Sequence, residues 1–236
     1  MNELKIVGIF ADFYVWLFSL EQDRSLPTAQ ADVLLRQCHI TAKCRYNASI
    51  RLRRLGQGTF LTTVLLSLGL ILVPMLLLAN LRMAYPVPVV NALQVFLAVA
   101  VLVYSIISAT ANYDTRARVL NDCADRIKHL GAELRTELQT GKPDLKQFAD
   151  RYNGITRDSE MHSRADYSLA MLQAKDQYKI TGLKRLWTRV LVFLAEAVPY
   201  MPSVALLTIE AILVTDMLGI TVVWTPFMVA LAVAPQ

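Results

Sequence analysis

The sequence predicts an all-α membrane protein, a transmembrane helical hairpin whose second helix extends into a cytosolic helical bundle. Three observations predict it. The chain of 236 residues is 55% apolar, with a mean hydropathy of +0.39, above the range of ordinary soluble domains. Two long stretches, 56–81 and 83–113, hold no charged residue. Beyond them, Leu120, Ile127, Leu134 and Leu138 recur at helical spacing with Ala124 and Gly131 between, the pattern of an amphipathic helix.

The first apolar stretch, "GQGTFLTTVLLSLGLILVPMLLLANL", supplies a span at about 58–80, since a bilayer core needs about 20 apolar helical residues. The second span falls at about 89–111. Between them "ANLRMAYPVP" carries two prolines that stop helix on both sides, and a link that short makes the pair antiparallel. Basic residues flank the hairpin: Lys43, Arg45, Arg51, Arg53 and Arg54 before it, Arg116, Arg118, Arg126 and Lys128 after it. The connection holds only Arg82. Basic residues stay cytoplasmic, so both flanks, the N-terminus included, are expected in the cytosol and the loop outside. Arg51, Arg53, Arg54, Arg116 and Arg118 are then topology determinants that touch anionic headgroups. A nucleic-acid site in "RLRR" lacks an accompanying fold signature, and no sequence-specific nucleic-acid binding is expected.

The second span carries a polar stripe. Steps of three and four through 91, 94, 98, 101, 105, 108 and 112 read Asn, Gln, Ala, Val, Ser, Ser, Asn. Asn91, Gln94, Ser105, Ser108 and Asn112 thus share one helix face. Gly56, Thr59, Thr63, Ser67 and Pro74 form a similar face on the first span, where Pro74 loosens a helical hydrogen bond. Two readings stay open. The stripes pack helix against helix, or copies of the hairpin assemble so that the second-span stripe lines a wet path. An amide in lipid must meet protein or water either way. No ionisable side chain lies in either span, which argues against a proton relay, a metal site or a voltage sensor.

Four segments follow: an N-terminal cytosolic or interfacial part at 1–54, the hairpin at 55–113, a cytosolic helical region at 114–189, and an apolar C-terminal segment at 190–236. The opening "MNELKIVGIFADFYVWLFSL" is not read as a signal peptide, because Glu3 and Asp12 break its pattern. An interfacial or partner-packed role is expected for it instead. The cytosolic region predicts helices over 114–140, about 144–155 and roughly 159–181, the first ended by Gly141 and Pro143. The last segment holds Glu196, Glu210 and Asp216 among apolar residues and is divided by Pro199, Pro202 and Pro226. One further span, a pair of short or re-entrant helices, and a buried oligomer layer all fit, with membrane association favoured. Acidic groups at membrane depth are functional candidates by default.

No enzyme is expected. The chain has no G-x-S-x-G, P-loop or G-x-G-x-x-G, and no catalytic residue, cofactor or metal site is assigned. His162 with Glu160 and Asp166 lacks metal-helix spacing, and Cys38, Cys44 and Cys123 lack zinc spacing and read as reduced structural thiols.

"TAKCRYNASIRLRRLGQGTFLTTVLLSLGLILV" runs from a Thr-x-Lys-x-Arg-Tyr element through a basic turn into a span. "VFLAVAVLVYSIISATANYDTRARVLNDCADRIKHLGAEL" is a second span flowing into a long helix. Over about 36–180 this order resembles the SLATT domain, a two-transmembrane effector module of bacterial conflict systems. Thr41, Lys43, Arg45, Ser67 and "HLGAEL" carry most of the likeness. The resemblance implies an inner-membrane, multi-pass, toxin-like effector of antiphage defence that oligomerises and opens or disrupts the membrane, causing abortive infection. It implies a separate sensor: a reverse transcriptase with its RNA or DNA, as in retrons, or a nucleotide second-messenger system making cyclic oligonucleotides. The alternative is a membrane-anchored scaffold or receptor subunit that recruits a cytosolic partner without conducting. The apolar segments at both ends depart from a plain two-span plan.

Overall fold

A computed structural model describes residues 29–79, 84–141, 143–174, 178, 180–224 and 226. Among them the secondary structure is helical, without strands. In chain order the helices are α1 (Gln30–Leu78), α2 (Val87–Thr110), α3 (Tyr113–Thr140), α4 (Leu145–Arg157), α5 (Arg164–Gln173), α6 (Gly182–Ala197) and α7 (Met201–Met217), with a 3₁₀ turn at Val198–Tyr200. The all-α membrane-type architecture expected from sequence is present. Among the described residues three helical stretches are long and apolar enough to cross a membrane, Gln30–Leu78, Val87–Thr140 and Gly182–Met217. The chain divides into two units, Met1–Arg53 with Asp114–Val198 and Arg54–Tyr113 with Pro199–Gln236. The expected interfacial segment at 1–20 and Arg82 lie outside the described residues.

In the first unit the leading part of α1 packs against α3 and α4. Leu34, Cys38 and Ala42 meet Cys123, Ile127, Leu130, Leu134 and Phe148 in one buried cluster. Small residues set the spacing: a Cβ on Gly131 would stand 3.3 Å from that of Cys38. Ile40 and Cys44 close a second cluster with Ala170 and Ala174. Burial pushes the thiols of Cys38 and Cys44 up to about 11, as expected for thiols held in apolar surroundings.

Two local differences from the sequence reading have clear causes. The helix expected at 159–181 is shorter, because Ser163 and Asp166 form a capping box that starts α5 at Arg164. The second span does run on into α3, but only after Asn112, which adopts φ 48°. Asparagine tolerates this left-handed conformation better than other side-chain-bearing residues, and its Nδ2 donates to Thr110 O at 3.2 Å.

In the second unit α7 packs against both hairpin helices. Leu66 of α1 and Val101 and Tyr104 of α2 bury against Leu206 and Leu207 of α7. Near the hairpin connection Val73, Tyr85, Val90 and Leu97 meet Leu213 and Met217. Gly58 faces Tyr200 and Gly69 faces Glu210, so α1 and α7 run in the same direction. Tyr104 Oη lies 2.6 Å from Ser203 Oγ, and Ala84 N donates to Met217 O at 2.9 Å, so α2 runs antiparallel to α7. Through Met217 the C-terminal segment thus contributes the end of α6, the 3₁₀ turn and α7. Helix α7 is followed by Gly219, whose φ of 73° favours a residue without a side chain.

Candidate functional site

The hydroxyls of the first-span stripe are satisfied within their own helix. Thr59 donates to Gly56 O, Thr63 to Thr59 O at 3.0 Å, and Ser67 to Thr63 O at 2.8 Å. On α2, Ser105 donates to Leu102 O at 2.8 Å. Such back-bonding removes the need for an external partner. Asn91 is exposed, and its neighbours Val87, Val95 and Phe96 are exposed too. Gln94 is half-buried beside Leu70, Val73, Tyr85 and Val90. Ser105 and Ser108 are half-buried, and Asn112 is exposed. The face that α2 buries within the unit is Val90, Leu97, Val101 and Tyr104, which borders the polar stripe and shares Val101 with it.

Two acids of α7 are buried in this unit, and they differ. Asp216 is 0% exposed. It accepts from Tyr85 Oη at 2.7 Å, Val223 N at 2.8 Å and Trp224 N at 2.7 Å. A carboxylate so surrounded pins the turn after α7 to the hairpin connection. Glu210 is 7% exposed, and its Oε1 has no hydrogen-bond partner. It fills the notch left by Gly69, where a Cβ would collide with that oxygen. Sequence singled out both acids but offered no partner for either.

The other unit concentrates its charges where α1, α3 and α5 meet. Arg51 forks onto Asp166, with Nε to Oδ1 at 3.1 Å and Nη2 to Oδ2 at 3.0 Å. Burial alone would raise the Asp166 carboxyl, yet the bonds from Arg51 and Ser163 hold it below the ordinary aspartate value. Arg116 forks onto Glu160 at 2.7 and 2.8 Å and holds that carboxyl low. Asn47 Nδ2 donates to Asp166 O at 3.4 Å, and Ser49 Oγ donates to Ala117 O at 2.8 Å. Of the basic residues assigned to topology, Arg51 and Arg116 are thus also structural, whereas Arg53, Arg54 and Arg118 are exposed. Among the described residues no group of three or more His, Cys, Asp or Glu side chains is placed to hold a metal.

Sequence reasoning missed Arg45 as a core residue. It is 4% exposed, and its helical context was hidden because 1–54 was read only as a cytosolic or interfacial segment. The signal was present in the small and polar residues Ala42, Cys44, Asn47, Ala48 and Ser49, all buried.

The fold and these polar sites define an all-α membrane protein whose apolar helices carry a charged helical unit. The chain belongs to the SMODS and SLOG-associating 2TM effector domain family 5, whose model matches residues 28–217. As a member it is a membrane effector of conflict systems. The match extends through α7, beyond the hairpin. No curated protein and no solved structure matches the chain.

Proposed function

We propose that the protein is a toxin-like effector of antiphage defence that acts on the inner membrane rather than as an enzyme. Copies of the chain assemble, and the assembly opens a pore or disrupts the bilayer when a separate partner senses infection, arresting or killing the cell. The partner is a reverse transcriptase with its RNA or DNA, or a nucleotide second-messenger system. The N-terminus is cytoplasmic and the chain is multi-pass.

The observation that carries this reading is the exposed amide of Asn91 among exposed Val87, Val95 and Phe96. In lipid such a group is costly unless a neighbouring copy or water meets it. Replacing Asn91, Gln94, Ser105 and Ser108 together by Leu should abolish depolarisation and toxicity in cells expressing the chain with its activating partner, with insertion intact. Intact membrane potential during growth arrest by the wild type would sink the pore.

One observation favours a second reading. The hydroxyls of Thr63, Ser67 and Ser105 already bond within their helices, so they do not require water. A membrane-anchored scaffold or receptor subunit that recruits a cytosolic partner without conducting would tolerate the same four substitutions.

A further inference from the structure

Arg45 stands apart from the other arginines of its unit. Its side chain is buried, and neither Nε nor Nη1 has a hydrogen-bond partner. Arginine cannot discharge this by losing a proton, and a buried guanidinium without acceptors costs several kcal/mol, roughly. The surrounding acids are already committed. Both oxygens of Glu160 take the fork of Arg116. Both oxygens of Asp166 take the fork of Arg51, and Oδ2 also accepts from Ser163 N and Oγ. Arg45 nonetheless stands at this cluster, since its neighbours Cys44 and Asn47 on α1 meet Ala170 and Asp166 of α5, and Asp166 bonds back to Ser163, the residue after His162. His162 adds a second buried orphan, its Nδ1. The cluster therefore sets Arg45, Arg51 and Arg116 against Glu160 and Asp166, one negative charge short.

We propose that Arg45 and His162 form an oxyanion site in the helical unit, built for a phosphate group. The guanidinium supplies charge and the two free donors Nε and Nη1, and the imidazole supplies a third through Nδ1. The occupied forks on Glu160 and Asp166 hold the surrounding helices in place and keep both carboxylates from collapsing onto Arg45. Planar guanidinium donors suit phosphate oxygens. The phosphate comes from a soluble molecule or from an anionic lipid headgroup. This site is independent of pore formation, since it uses no residue of the spans.

The test is thermal unfolding of the full chain in neutral detergent, titrated with inorganic phosphate at constant ionic strength set with chloride. Ligand binding to the native state raises Tm with concentration, by about 3 °C or more near saturation for a site of this kind. Arg45→Met should abolish the rise, and His162→Gln should reduce it. Arg135→Met, on the exposed face of α3, should leave it unchanged. Should Arg45→Met fail to fold, Arg45→Lys keeps the charge, loses the fork and should bind several-fold more weakly. In a second arm the protein is placed in nanodiscs of phosphatidylglycerol or of phosphatidylcholine. An Arg45-dependent rise in phosphatidylglycerol alone, without a response to free phosphate, assigns the headgroup as the source. A phosphate response of equal size in the wild type and the Arg45 variants, or no Arg45-dependent response in either arm, overturns the site.

Discussion

The carboxyl group of Glu210 occupies the space that a side chain on Gly69 would need, with Oε1 standing where it would collide with a Cβ there. This notch locks α7 to α1. Gly69→Ala should displace the carboxyl end, and Gly69→Leu should separate the helices. Glu210→Ala should partly rescue Gly69→Ala, with a coupling of about 1–2 kcal/mol in a double-mutant cycle of detergent melts. Strict additivity would show that the two residues do not share this space.

Glu210 itself is a stability cost. Its Oε1 is buried without a partner, and apolar replacement of such a group is often neutral or stabilising. Glu210→Met should raise stability by about 1 kcal/mol. If the acid serves the effector, the same variant loses toxicity while melting higher, a separation readable from paired melting and killing assays. A lower melting point would mean that Glu210 has a compensating partner.

Asp216 is the opposite case, a buried acid with donors on every side. Asp216→Ala strands Val223 N, Trp224 N and Tyr85 Oη and should cost about 3 kcal/mol or more. Tyr85→Phe removes one donor and should cost about 1–2 kcal/mol. Equal melting of wild type and Asp216→Ala would refute the pinning role of this carboxylate.

The unit that holds His162 should lose stability as pH falls below neutrality. Burial first, then the charge of Arg45, hold His162 below its usual value, with Asp166 opposing. The unfolded chain takes up a proton near pH 6.5 while the folded chain does so only at lower pH. The contribution is full above about pH 6.5 and is lost as pH falls through the folded value. His162→Gln should flatten this part of the Tm profile between about pH 5 and 7. A wild-type slope that survives the substitution would assign it to another group.

The three thiols should be silent in the folded protein. Cys38, Cys44 and Cys123 are all buried and free, with the first two raised to about 11. Maleimide at neutral pH should label none of them until the helices open, and then all three. Rapid native labelling at Cys44 would show that α5 leaves α1 readily.

The membrane class and its helical hairpin were legible in the sequence because lipid imposes a requirement on every residue it touches. Charge-free runs at 56–81 and 83–113 satisfy that requirement without reference to any other part of the chain. The leucine spacing from Leu120 to Leu138 likewise states a helix on its own. Tertiary structure alone decided the partners. Gly69 accommodates Glu210, Tyr85 meets Asp216 across 131 positions, and Arg51 rather than Arg45 takes Asp166. Hydrophobic patterning records which face of a helix is buried. It does not record which distant side chain arrives there, since that depends on small residues and hydrogen-bond geometry brought together only by folding.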